Sequence, residues 1–129
     1  MKNKYLLSLL WVIVSGFGIL MAQEIAIIPQ PAHLIVKNES FKFGKQLKVC
    51  IASYRGDSVT LVFDSFKDDF QKATGIKVTS VRSEAKAGIV LSVNQTLAPE
   101  AYKLDVSPKQ IRIEAARPAG FYYALQTLK

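Results

Sequence analysis

The sequence predicts an α+β sandwich, one mixed and mainly antiparallel sheet with two helices packed on a single face. Three observations lead there. Short apolar runs of period two recur along the chain, two stretches carry apolar residues at helical spacing, and the last two runs are joined by a tight turn that contains a proline. The 129 residues suffice for one domain. A single cysteine excludes an internal disulfide, and one cysteine with one histidine cannot furnish a four-ligand Cys/His zinc site. No metal and no cofactor is therefore expected.

Residues 1–22 read as a signal peptide: Lys2 and Lys4, an uncharged run from Tyr5 to Met21, then the small Ala22. That run is interrupted by Ser8, Ser15, Gly16 and Gly18, whereas a spanning helix wants about 20 strongly apolar residues. An uncleaved N-terminal anchor is the alternative, and a membrane is expected to matter only through this segment. Residues 23–129 are then the domain itself, exported and still net basic. Their positive charges are scattered singly, without a Lys/Arg block or interleaved aromatics, so a nucleic-acid partner is not expected.

Glu24 to Ile28 alternates as a strand and must end at Pro29-Gln30-Pro31, where two fixed φ angles stop any helix. Leu34 to Lys37 and Phe41 to Phe43 read as short strands around the turn Asn38-Glu39-Ser40. Leu47 to Ala52 places Leu47, Val49 and Ile51 on one face and Cys50 on the other. A helix is predicted from Val59 to Thr74, because Val59, Val62, Phe63, Phe66, Phe70 and Ala73 share a stripe opposite Lys67, Asp68, Asp69 and Lys72. Asp57 or Ser58 is its expected N-cap, and Gly75 its left-handed terminator.

Ile76 to Val81 alternates again, and the pair flanking the helix is the candidate for one parallel crossover. Gly88 to Val93 is continuously apolar, as for a strand covered on both sides. Ala101 to Val106 and Gln110 to Ala115 form a hairpin through Ser107-Pro108-Lys109. After Arg117-Pro118-Ala119-Gly120, the residues Phe121, Ala124, Leu125 and Leu128 recur at helical spacing to the last residue, with proline suiting the first turn.

Candidate chemistry is sparse. Sugar-bond hydrolysis usually needs two carboxylates about 5 to 10 Å apart. The adjacent acids Asp68 and Asp69 point about 100° apart on a helix and read as solvated surface. His33 has no partner for a triad, and Cys50 reads as an inert buried thiol. No glycine-rich phosphate loop occurs. Asn38-Glu39-Ser40 and Asn94-Gln95-Thr96 fit the N-glycosylation triplet. Phe121, Tyr122 and Tyr123 offer an aromatic patch for carbohydrate, although Phe121 with Leu125 and Leu128 reads more simply as a core stripe. Catalytic residues are expected to be none, and substrate-binding residues cannot be assigned.

Several stretches resemble a known family: Ile27-Ile28-Pro29-Gln30-Pro31, Pro99-Glu100-Ala101-Tyr102-Lys103-Leu104-Asp105-Val106, Ile111-Arg112-Ile113-Glu114-Ala115, and Ala119-Gly120-Phe121-Tyr122-Tyr123-Ala124-Leu125-Gln126-Thr127-Leu128. Over residues 24 to 129 the chain is similar to the N-terminal, non-catalytic domain of family 20 glycoside hydrolases, the β-N-acetylhexosaminidases. The resemblance implies a zincin-like sheet without zinc, preceding a (β/α)8 barrel that holds the active site. It implies cleavage of terminal N-acetylglucosamine or N-acetylgalactosamine, with the substrate's acetamido group as nucleophile, an aspartate orienting it and the adjacent glutamate as general acid.

The sequence contains no Asp-Glu dipeptide, so no catalytic residue carries over. The expectation is an accessory domain whose chain ends before the barrel, with that barrel as its partner and the glycan reached through it. The alternatives are a free-standing carbohydrate-binding module and the equivalent domain of another exported glycosidase, such as a family 84 enzyme.

Overall fold

The computed structural model describes residues 32–52 and 56–129. Its elements are β1 (Gln46–Ala52), α1 (Asp57–Thr74), β2 (Lys77–Ser80), a 3-10 turn (Glu84–Lys86), β3 (Ile89–Val93), β4 (Tyr102–Val106), β5 (Ile111–Ala115) and α2 (Pro118–Gln126). The expected signal segment at residues 1–22, the expected strand at Glu24 to Ile28 and its expected end at Pro29–Pro31 lie outside the described residues.

The strands form one sheet in the order β2-β1-β3-β5-β4. Its register sets apolar side chains in rows across neighbouring strands. Val49, Ile89, Ile111 and Val106 make one row, Ile51, Leu91, Ile113 and Leu104 the next, and Val93, Ala115 and Tyr102 a third. Because side chains alternate across a pleated sheet, these rows share one face. Both helices close over it. α1 contributes Val59, Phe63, Phe66 and Phe70, spaced four, three and four residues apart, and α2 contributes Phe121, Ala124 and Leu125. Burying a phenylalanine contributes about 1.5–3 kcal/mol, against a net stability of roughly 5–15 kcal/mol for a domain, so these four rings dominate the core.

The mixed sheet and the two helices on one face agree with the fold class read from the sequence. Its internal balance differs. Among the described residues β1 runs parallel to β2 and to β3, β3 runs parallel to β5, and only β4 with β5 is antiparallel. Alternation records which side chains share a face and says nothing of strand direction. The link between β2 and β3 does not turn back as a hairpin; it crosses the open face of the sheet past β1. Only the link between β4 and β5 is too short for a crossover. There Ser107 Oγ donates to the Gln110 carbonyl at 2.7 Å and accepts from the Gln110 amide at 3.1 Å.

Three boundary expectations change. No strand forms at Leu34 to Lys37 or Phe41 to Phe43: Leu34, Ile35 and Val36 stand exposed, while Phe41 and Phe43 pack edge to face and lean on Phe70. The N-cap of α1 is Gly56, with no side-chain hydrogen bond from Asp57 or Ser58, both of which lie inside the helix. The C-terminal helix closes at Gln126, where the backbone bonds tighten to i→i−3 and Thr127 Oγ1 reaches the Tyr123 carbonyl at 3.1 Å. Gly75 is the left-handed terminator expected, at φ 72°, and its amide returns to the Gln71 carbonyl.

Candidate functional site

The face of the sheet away from the helices has two halves. Over β1 and β3, the connection through Val81 and Ala87 covers Cys50 and Val90, so both are buried although they face away from the main core. Burial pushes the Cys50 thiol up from its usual range, and the negative charge of Glu84 adds to this. It is a protonated, covered thiol, as its apolar setting in the sequence implies.

Over β4 and β5 the face is charged. Lys103 stands opposite Glu114, and Asp105 opposite Arg112. These four line an open depression of about 250 Å3. Lys37 donates to Asp105 Oδ1 at 2.7 Å, Asn94 Nδ2 donates to Glu114 Oε2 at 2.9 Å, and Arg112 reaches Gln110 Oε1 at 3.1 Å and Glu84 Oε2 at 3.4 Å.

Asp105 and Glu114 occupy diagonal positions on adjacent strands, where Cα atoms lie roughly 7–8 Å apart. Both side chains line the same depression, so they are the carboxylates to weigh as a glycosidase acid pair. The electrostatics do not suit the role. A general acid must hold its proton near neutral pH, whereas the Lys37 ammonium hydrogen-bonded to Asp105 holds that carboxyl below the usual carboxylate range. The depression is open to water and carries no aromatic ring on which a sugar could stack.

Asp68 and Asp69 are exposed on α1, as solvated helix surface should be. Lys129 donates to Asp69 Oδ2 at 2.7 Å and lowers the Asp69 pKa. His33 is exposed in a bend. Asn38 is exposed, while the Asn94 Oδ1 accepts from the Thr96 amide and hydroxyl. Phe121 is buried in the core and Tyr122 is 44% exposed, with Tyr123 edge-on to Tyr122, so no three-ring platform exists at 121–123. Among the described residues no three His, Cys, Asp or Glu side chains gather as metal ligands, and no helix is long and apolar enough to cross a membrane.

The fold also assembles what the sequence scatters. Four parallel strands start at one end of the sheet, and lysines separated along the chain meet there. Spacing along the chain carries no sign of this, because the strand order creates it.

A domain with this sheet, this helical face and, among the described residues, no carboxylate pair with the electrostatics of an acid catalyst invites comparison with known families. The family model of glycosyl hydrolase family 20, domain 2, matches residues 24–129. The chain belongs to that family. Among solved structures it is similar to the exo β-N-acetylglucosaminidase of Vibrio harveyi in complex with N-acetylglucosamine, at 32% identity and a TM-score of 0.68 over 80% of this chain and 15% of that one. The β-N-acetylhexosaminidase of Bacteroides fragilis matches in fold at 24% identity and a TM-score of 0.63, over 79% of this chain and 20% of that one. The chitobiase of Flavobacterium johnsoniae does so at 24% identity and a TM-score of 0.65, over 80% and 17%. No curated protein sequence gives a significant match. The chain therefore spans about a fifth or less of the solved family 20 chains it matches, in which domain 2 is one part of a larger polypeptide.

Proposed function

We propose that this chain is the accessory domain of an exported β-N-acetylhexosaminidase, in which it supports a catalytic (β/α)8 barrel outside these 129 residues. The parent enzyme would remove terminal N-acetylhexosamine residues from glycans, and the domain would contribute by packing rather than by chemistry. The match of domain 2 over residues 24–129, at only 15% of the Vibrio harveyi chain, carries this reading. The state of Asp105 supports it, since an aspartate bonded to a lysine is a poor proton donor. Export rests on the order of Lys2, Lys4, the Tyr5 to Met21 run and Ala22.

The test has two parts. The purified chain should not release the chromophore from an N-acetylglucosaminide. A barrel bearing an Asp-Glu pair, encoded in frame with the domain, should do so, and should lose stability when residues 23–129 are deleted. Turnover by this chain alone would overturn the proposal.

A further inference from the structure

We propose that the end of the sheet where the parallel strands begin is a docking surface for an anionic lipid headgroup layer, held by lysines around an exposed phenylalanine. Lys45 immediately precedes β1, Lys77 opens β2, Lys86 closes the 3-10 turn before β3, Lys109 sits in the turn before β5, and Lys72 lies in the last turn of α1. Lys42 joins them because its neighbour Phe41 packs against Gly88 and beside Leu47 at this same end. The backbone ties these segments together: the Lys77 amide donates to the Lys45 carbonyl at 3.3 Å, and the Ile111 amide to the Gly88 carbonyl at 2.8 Å.

All six lysines are exposed, and none is in an ion pair with another described residue. Two nearby acids are bonded to other residues, Glu84 to Arg112 and Asp69 to Lys129, while Asp68 stands one helical turn before Lys72 and Glu39 three residues before Lys42. Between Lys42 and Lys45 stands Phe43, 40% exposed with its ring against Phe41 and Phe70. A broad basic surface around one partly exposed ring suits a layer of phosphate headgroups, where lysines meet the anionic surface and an apolar side chain reaches the interface. A chain polyanion is favoured by a groove, and the described depression lies on the open face between β4 and β5 instead.

The test is co-sedimentation of the full chain with phosphatidylcholine vesicles, with and without about 30% phosphatidylglycerol; the Tyr5 to Met21 run and the adjoining Lys2 and Lys4 are common to all variants, so each variant is read against the parent chain. Each lysine at an anionic surface strengthens binding roughly five-fold. The double variant Lys45→Gln/Lys77→Gln should therefore lose about 25-fold of the phosphatidylglycerol-dependent affinity, and about 0.5 M salt should abolish it. Lys67→Gln/Lys103→Gln removes the same charge elsewhere and should leave that affinity within about two-fold. Circular dichroism checks that all variants stay folded. Equal losses from the two double variants, no loss from either, or a salt-independent preference would overturn the proposal. So would tighter binding of the same end to a soluble acidic polysaccharide than to the vesicles.

Discussion

Gly120→Ala tests how closely α2 sits on the sheet. Gly120 is the third residue of α2 and is buried. A methyl group built there would lie 2.5 Å from the Ala101 carbonyl oxygen, 2.8 Å from Ala115 Cβ and 3.3 Å from the Ala101 carbonyl carbon. None of these atoms can rotate away, so the helix must lift from the ends of β4 and β5 and take Phe121, Ala124 and Leu125 with it. Replacing a helical glycine with alanine gains about 0.5–1 kcal/mol from backbone propensity. Overpacking costs about 1–3 kcal/mol, and fixed backbone atoms place this site in the upper part of that range.

The expected net loss is about 1–2 kcal/mol, seen as a lower urea midpoint and a Tm depressed by roughly 4–15 °C for a domain near 100 residues. Gly44→Ala is the control, since its methyl group would meet nothing closer than the Gln46 carbonyl oxygen at 4.0 Å. It should leave the midpoint unchanged or slightly higher. A Gly120→Ala chain as stable as the parent would refute the close packing of α2 on the sheet.

Other consequences follow from the same packing and charges. Phe121→Ala opens a cavity beneath α2 and should lower the unfolding free energy by about 3–5 kcal/mol in urea titrations. Cys50 is buried with a raised pKa, so a thiol reagent should leave it untouched in the native chain and label it fully in denaturant; rapid native labelling would contradict its coverage by Val81 and Ala87. Asp69 and Asp105 are both lowered from 3.8, first by hydrogen bonds from Lys129 and Lys37 respectively. Their contribution to stability is complete above the unfolded value and is lost as pH falls below it through the folded values. The urea midpoint of Asp69→Asn/Asp105→Asn should therefore drop less than that of the parent between about pH 6 and about pH 2.5, and an equal drop would show the two ion pairs to be idle.

Much of this fold was legible because particular residues fix local geometry. Gly75 marks the end of α1, the phenylalanines at 63, 66 and 70 mark its inner face, and Pro108 in a short link forces β4 back along β5. The buried run Ile89 to Leu91 betrayed a strand covered on both faces. The parallel crossover from β1 through α1 to β2 was legible too, since a helix separates the two strands, whereas the parallel courses of β3 beside β1 and β5 were not, because alternation does not record the path of a connection. The helix cap was misplaced by one or two residues because Asp57 and Ser58 both suit a first turn as well as a cap. The lysine end was hidden for a similar reason: Lys45, Lys77, Lys86 and Lys109 are far apart in the chain and become neighbours only through strand order. The Lys37–Asp105 pair, which disarms the diagonal carboxylates, joins residues 68 positions apart and leaves no local trace.

We propose that this domain lends shape to a sugar hydrolase and does none of its chemistry. Steady-state assay of the purified, folded chain on a chromogenic N-acetylglucosaminide tests it most directly. The chromophore should be released no faster than in buffer. Release above that background that disappears in Asp105→Asn or Glu114→Gln would contradict it.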